Sequence, residues 1–121
     1  MLNKKVVHLS SVHSRYDTRI LVKMCASLAS AGYCVTFVCA DGKGSEVIAG
    51  VSILDVGNTP SGRLQRMTII VNRLFEKAKE LDAYVYHLHD PELIPIGLQL
   101  KRLGKKVIYD SHEDLPKQLL A

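Results

Sequence analysis

At 121 residues, with 47% apolar and 23% charged side chains, the chain has the size and balance of one compact globular domain, which excludes a disordered segment and a coiled coil. The net charge of +4 favours anionic partners, but the basic clusters Arg63 to Lys79 and Lys101 to Lys106 carry no interleaved aromatic platform, so no nucleic-acid partner is expected. Cys25, Cys34 and Cys39 contain no C-x-x-C pair, which argues against a disulfide framework or thiolate metal site and predicts small buried hydrophobes in a reducing cytoplasm.

The apolar run after Lys5 is too short for a secretory or membrane segment, and the β-branched stretch Lys5 to Ser11 reads as a buried strand. A helix follows, with Asp17 or Thr18 as its cap, Ile20, Leu21, Met24 and Leu28 as its apolar stripe, and Gly32 in the left-handed closing position. Tyr33 to Ala40 is the second strand, Asp41 to Ser45 is a turn, and Val51 to Val56 is the third strand. After the loop Gly57 to Gly62, the residues Leu64, Met67, Val71, Leu74, Ala78 and Leu81 alternate in steps of three and four, predicting a helix over about Ser61 to Leu81. Ala83 to Leu88 is the fourth strand. Pro91 to Leu103 carries a helix whose start is irregular, because Pro95 cannot donate the bond a helix beginning at Pro91 requires. Either Asp90 caps a turn that bends there, or regular helix begins near Ile94. Lys106 to Asp110 is the fifth strand.

Strands alternating with helices predict an α/β fold, a doubly wound parallel sheet of Rossmann-like type with strand order 3-2-1-4-5 and helices on both faces. Ligands of such sheets bind at the carboxyl ends of the strands, where the winding reverses. Three loops at that edge join histidine with acid: Ser10 to Thr18, His89 to Glu92, and Ser111 to Asp114. Imidazole and carboxylate together suit a polar substrate rich in hydroxyls.

No G-x-G-x-x-G follows the first strand, which removes a dinucleotide reading, and Gly42 to Ser45 lacks the hydroxyl residue after Lys43 that a P-loop needs. His87, His89, Asp110 and His112 repeat a two-residue spacing on neighbouring strands, the basis of an alternative reading as a metal-dependent hydrolase. His8 and His87 fall inside strands that helices should cover, so they are taken as hydrogen-bonded core residues, and no metal is expected. A second alternative is a stand-alone flavodoxin-like binding module.

The stretches Asp17 to Ile20 (DTRI), with Lys23, Leu28 and Ala31 to Tyr33, together with His89 to Glu92 (HDPE) and Val107 to Asp114 (VIYDSHED), resemble bacterial glycosyltransferases of family 4, retaining enzymes of GT-B fold. The resemblance spans the whole chain and implies a Rossmann-like N-terminal, acceptor-side domain. The nucleotide-sugar-binding C-terminal domain is expected outside residues 1–121, which would make the chain a truncated and by itself inactive piece. The resemblance makes His112 the catalytic residue, hydrogen-bonding the donor sugar in the transition state. It assigns His89, Asp90, Glu92 and Glu113 to substrate, with Asp90 also capping its helix, and His13 or Arg15 to phosphate or acceptor groups. It further implies no cofactor and no metal, a nucleotide-sugar donor, and a saccharide or lipid-linked acceptor in the synthesis of surface polysaccharide or lipopolysaccharide. Arg63, Arg66, Arg73 and Lys77 suggest an anionic membrane surface as a further partner, hence a cytoplasmic protein peripheral on the inner face of the membrane.

Overall fold

The computed structural model describes residues 4–58, 62, 64 and 66–110, and the following statements concern those residues. Six strands form one sheet: β1 (Lys5–Leu9), β2 (Cys34–Cys39), β3 (Glu46–Ile48), β4 (Val51–Asp55), β5 (Val85–Leu88) and β6 (Lys106–Tyr109). Their spatial order is β3-β4-β2-β1-β5-β6. All neighbours run parallel except β3, which pairs antiparallel with β4. This mostly parallel, Rossmann-like α/β sheet departs from the expected five strands by the added β3. A two-residue loop joins β3 to β4, with Ala49 at φ 52° and Gly50 at φ 79°, the double positive φ of a tight hairpin turn.

Helix α1 is wound as a π-helix over Thr18–Ala26 and as an α-helix over Ser27–Ser30. Asp17 caps it, its carboxylate accepting from the Ile20 amide at 3.0 Å. The wider winding places Cys25 with Ile20 and Leu21 in the core and leaves Met24 only half-buried, which corrects the expected stripe. Helix α2 follows the same plan, π-helical over Arg66–Ile70 and α-helical over Val71–Leu81. Ile70, Val71, Leu74 and Ala78 are buried, whereas Leu64 and Met67 are exposed at 78% and 42%. Those first two positions of the predicted stripe therefore lie outside the core, and Ile70 takes the place expected for Met67. After the 3₁₀ turn Pro91–Leu93, helix α3 (Ile94–Arg102) begins where Pro95 loses nothing by lacking an amide proton.

The core is divided by the sheet. Val7, Leu9, Tyr86 and Leu88 meet α2 and α3 on one face, while Val6, Phe37, Cys39 and Ile53 meet α1 on the other. The buried Tyr86 hydroxyl donates to the Ala78 carbonyl and accepts from the Ala83 amide, tying the end of α2 to β5. Covering helices were expected over both faces throughout. On the α1 face, however, the described chain passes from β2 to β4 through a hairpin strand, and α1 rests on β2 and β4. Ile108 of β6 consequently remains 50% exposed.

Gly97 sits where α3 touches the sheet: an added Cβ would lie 2.6 Å from Leu88 Cδ1 and 3.3 Å from Val107 Cγ1. Gly97→Ala should be close to neutral, since moving the Leu88 methyl offsets a helix-propensity gain of about 1 kcal/mol. Gly97→Val adds two further methyls to the same space and should cost about 1–3 kcal/mol. Urea unfolding of both variants measures this; equal stabilities would contradict the close contact.

Candidate functional site

The carboxyl edge of the sheet is built by the loop after β1 and the loop after β5, which Asp90 joins. Ser10 and Ser11, read as the end of the first strand, lie beyond β1, and β5 ends at Leu88, leaving His89 and Asp90 to turn over the edge. Asp90 is 2% exposed. One carboxylate oxygen accepts from the Ser10 hydroxyl and the Ser11 amide, both at 2.8 Å, and the other lies 2.8 Å from His13 Nδ1. The Ser10 hydroxyl also accepts from the His13 amide at 2.8 Å. With the single Ser10 proton given to Asp90, the hydrogen-bond network assigns the imidazole proton to His13 Nδ1, facing acceptors, and leaves Nε2 the basic nitrogen. This is a histidine oriented by a buried carboxylate at the rim of the sheet. A hydrolytic triad is ruled out by its geometry, because Ser10 is fully buried and donates to the carboxylate instead of the imidazole. Asp90 was also expected to cap the following helix; its side chain makes no cap bond, because both oxygens are taken by the loop after β1.

Arg15, assigned above to phosphate or acceptor, is 1% exposed. Its guanidinium forks onto Asp41 at 2.8 and 2.6 Å, meets Glu46 at 3.0 Å and lies 3.9 Å from Asp55. These donors are directed to carboxylates of the same chain, so Arg15 clamps its loop to the Asp41 turn and to β3. The acids hold the guanidinium protonated beyond its ordinary range, and Arg15 in turn holds the Asp41 carboxyl below its usual value. The Gly42 and Gly44 amides donate to Asp55 at 3.1 and 2.8 Å, which confirms a turn and points these amides away from any phosphate.

Beneath the rim lie three imidazoles. His8 on β1 is in register with His87 on β5, and His89 follows two residues later on the same face. Ring centroids are 4.5–5.0 Å apart with planes within 19°. His8 Nδ1 and His89 Nε2 share a hydrogen bond of 2.7 Å. Burial, then the proximity of His87, pushes the His8 pKa down to about 3, so this ring is neutral at physiological pH. His8 is thus the hydrogen-bonded core residue expected. His87 is half-buried instead, lies 3.6 Å from the Asp110 carboxylate and lines an apolar cavity of about 270 Å³ with Val6, Leu28, Tyr84 and Ile108, between the end of α1 and strands β5 and β6. Arg19 completes the chain of contacts, donating to Asp110 at 3.0 Å.

Glu92 sits half-buried in the 3₁₀ turn. His112 and Glu113 lie outside the described residues, so the expected catalytic position has no geometry here. Ser10, Ser11 and Arg19 were missed as site builders; the available signal was their place immediately after a buried strand and within the DTRI stretch. Of the cysteines, Cys25 and Cys39 are buried, their thiol pKa values pushed up by burial to about 12 and about 11, but Cys34 is exposed, contrary to expectation.

The fold and rim define a Rossmann-like α/β domain with a polar carboxyl edge, and no described helix is long and apolar enough to cross a membrane. The chain is similar in fold to the crystal structure of a hydrogenase C-terminal domain from Pyrococcus furiosus, at 15% identity, 88% coverage of this chain, 91% of that one, and a TM-score of 0.60. That likeness is one of fold alone. No family model matches the chain, and no curated protein matches it.

Proposed function

We propose that the chain is the acceptor-side domain of a retaining glycosyltransferase of GT-B fold, the doubly wound 3-2-1-4-5 half that works with a separate nucleotide-sugar-binding domain. The observation that supports this reading best is the joining of the loops after β1 and β5: Asp90 receives Ser10, Ser11 and His13, and so presents an oriented imidazole at the rim where such sheets bind ligands. An oriented imidazole among carboxylates suits a hydroxyl-bearing acceptor, with His89 and Glu92 beneath and beside it. His112 and Glu113 lie three and four residues beyond β6 in sequence and are assigned to the donor sugar and its surroundings, His112 as the catalytic residue. The transfer is assigned no resident cofactor, since the nucleotide-sugar is a substrate. The acceptor is a saccharide or lipid-linked glycan of a surface polysaccharide or lipopolysaccharide, and the basic face of α2 is assigned to an anionic membrane that carries it. Such a protein works in the cytoplasm, peripheral to the inner membrane face.

The test is a donor screen on the native polypeptide, reading nucleoside diphosphate released from a set of nucleotide-sugars with and without glycan acceptors. One donor should be turned over in an acceptor-dependent way, and His112→Ala should depress turnover far more than donor affinity. Failure of every donor would sink the transferase reading; unchanged turnover in the variant would sink only the role of His112.

A further inference from the structure

Of the three stacked imidazoles only His89 has a place in the transferase reading, and the arrangement of all three carries a separate conclusion. We propose that His8, His87 and His89 bind one divalent transition-metal ion of the kind imidazole favours, zinc in the first instance, with Asp110 as a supporting carboxylate beside His87. Three observations carry this. One ligand nitrogen from each histidine lies within 4.8 Å of the others. A tetrahedral zinc site with Zn–N bonds of ~2.0–2.1 Å needs nitrogens about 3.3 Å apart, so ligation draws the widest pair together by no more than about 1.5 Å.

Second, His8 is fully buried, yet its Nε2 has no hydrogen-bond partner among the described residues. A buried imidazole nitrogen left without a partner is unfavourable, and a metal bond on this face of the sheet removes that deficit. Third, the supporting parts of a metal site are present. Asp110 Oδ2 lies 3.6 Å from His87 Nε2, and Arg19 holds the other Asp110 oxygen at 3.0 Å, fixing the carboxylate from behind. The apolar cavity of about 270 Å³ that His87 lines supplies an access route from solvent.

The rings are nearly parallel, so their in-plane lone pairs converge only when His87 turns about its χ2 toward the other two. Its half-buried position beside the cavity gives it the room for that turn. His8 ligates through its unpartnered Nε2, which leaves its Nδ1 in the 2.7 Å hydrogen bond with His89 Nε2.

The experiment uses the 121-residue chain carrying Cys34→Ser, which removes the exposed thiol as a competing ligand. Protein stripped with a chelator is titrated with Zn²⁺ by calorimetry, and with Co²⁺ to read the intense visible d–d bands of a four-coordinate site. One equivalent should bind, Co²⁺ should give those bands, and His87→Gln should weaken zinc binding about 10- to 100-fold or more. His87 is the first choice because it is half-buried; His89→Gln serves as the second variant, with circular dichroism verifying that each is folded. Absence of saturable zinc binding overturns the proposal. So does binding of equal strength in a folded His87→Gln protein, or cobalt bands of octahedral type in the parent.

Discussion

Arg15→Met should lower the unfolding free energy by ~3 kcal/mol, because a buried cation is removed while its carboxylate partners remain. The side chain is 2% exposed, while Asp41 and Glu46 retain 19% and 37% exposure, which places the effect at the lower end for a broken buried pair. Urea unfolding at pH 7 measures it, and a cycle with Asp41→Asn should show strong coupling, the double variant being less destabilised than the two single losses combined. Acid supplies an independent arm. Asp41 has its folded pKa depressed by Arg15, so in the parent its contribution is present above the ordinary carboxyl value of 3.8 and is lost as pH falls through the lower folded value. In Arg15→Met that lowering is gone, and the gap between the two proteins should narrow as the carboxylates protonate. A gap of the same size at pH 7 and at acid pH would show that Arg15 acts through its methylene stem, not its charge.

Asp90 gives the second large effect. Asp90→Ala leaves the Ser10 hydroxyl, the Ser11 amide and the His13 imidazole without their acceptor in a buried place, and should cost roughly 3 kcal/mol. Asp90→Asn is the sharper variant. Its amide oxygen can keep the two serine donors, but its NH₂ group then faces His13 Nδ1, a nitrogen that in the parent already bears the proton. Two donors cannot meet, so the His13 ring should switch its proton to Nε2 and accept at Nδ1, with a stability loss of about 1 kcal/mol. Nitrogen chemical shifts of His13 separate the two tautomers. An Nε2–H tautomer already present in the parent protein would refute the orientation assigned to the pair.

Much of the fold was legible because β1, β2 and β4 are short β-branched runs and because Asp17 or Thr18, Gly32 and Pro95 mark helix ends, although the cap and the start at Pro95 each left two alternatives that the structure decided. Strand β3 was not legible. Its three residues follow a glycine-rich turn, and its hairpin loop is Ala49-Gly50, where the Asn-Gly or Asp-Gly pair that announces such a turn is absent. The missing strand also explains why the ion pairs of Arg15 were not foreseen. A loop arginine after a first strand invites an anionic ligand, and only the pairing that brings Glu46 and Asp55 beside Asp41 reveals that its fork is directed within the chain. Leu64 and Met67 obeyed helical spacing yet stand in solvent, since periodicity tells which side of a helix is apolar but not where the sheet beneath it stops. At the rim, His13, His89 and Asp90 were placed together by topology. The bond pattern that makes Asp90 a loop fastener instead of a helix cap depends on Ser10 and Ser11 leaving the strand one residue after Leu9, a boundary finer than sequence patterns resolve.

The three residues of β3 also decide how the molecule meets its neighbours in a crowded solution. Without them, β4 would present a run of unpaired amides and carbonyls at the margin of the layer, with the buried Val51 and Ile53 alongside, ready to template a strand from another copy. The hairpin occupies those groups and substitutes a margin too brief to propagate, fastened through Glu46 to Arg15 and Tyr16. The clamp that steadies the loop after β1 therefore also holds the short strand that covers the edge of β4.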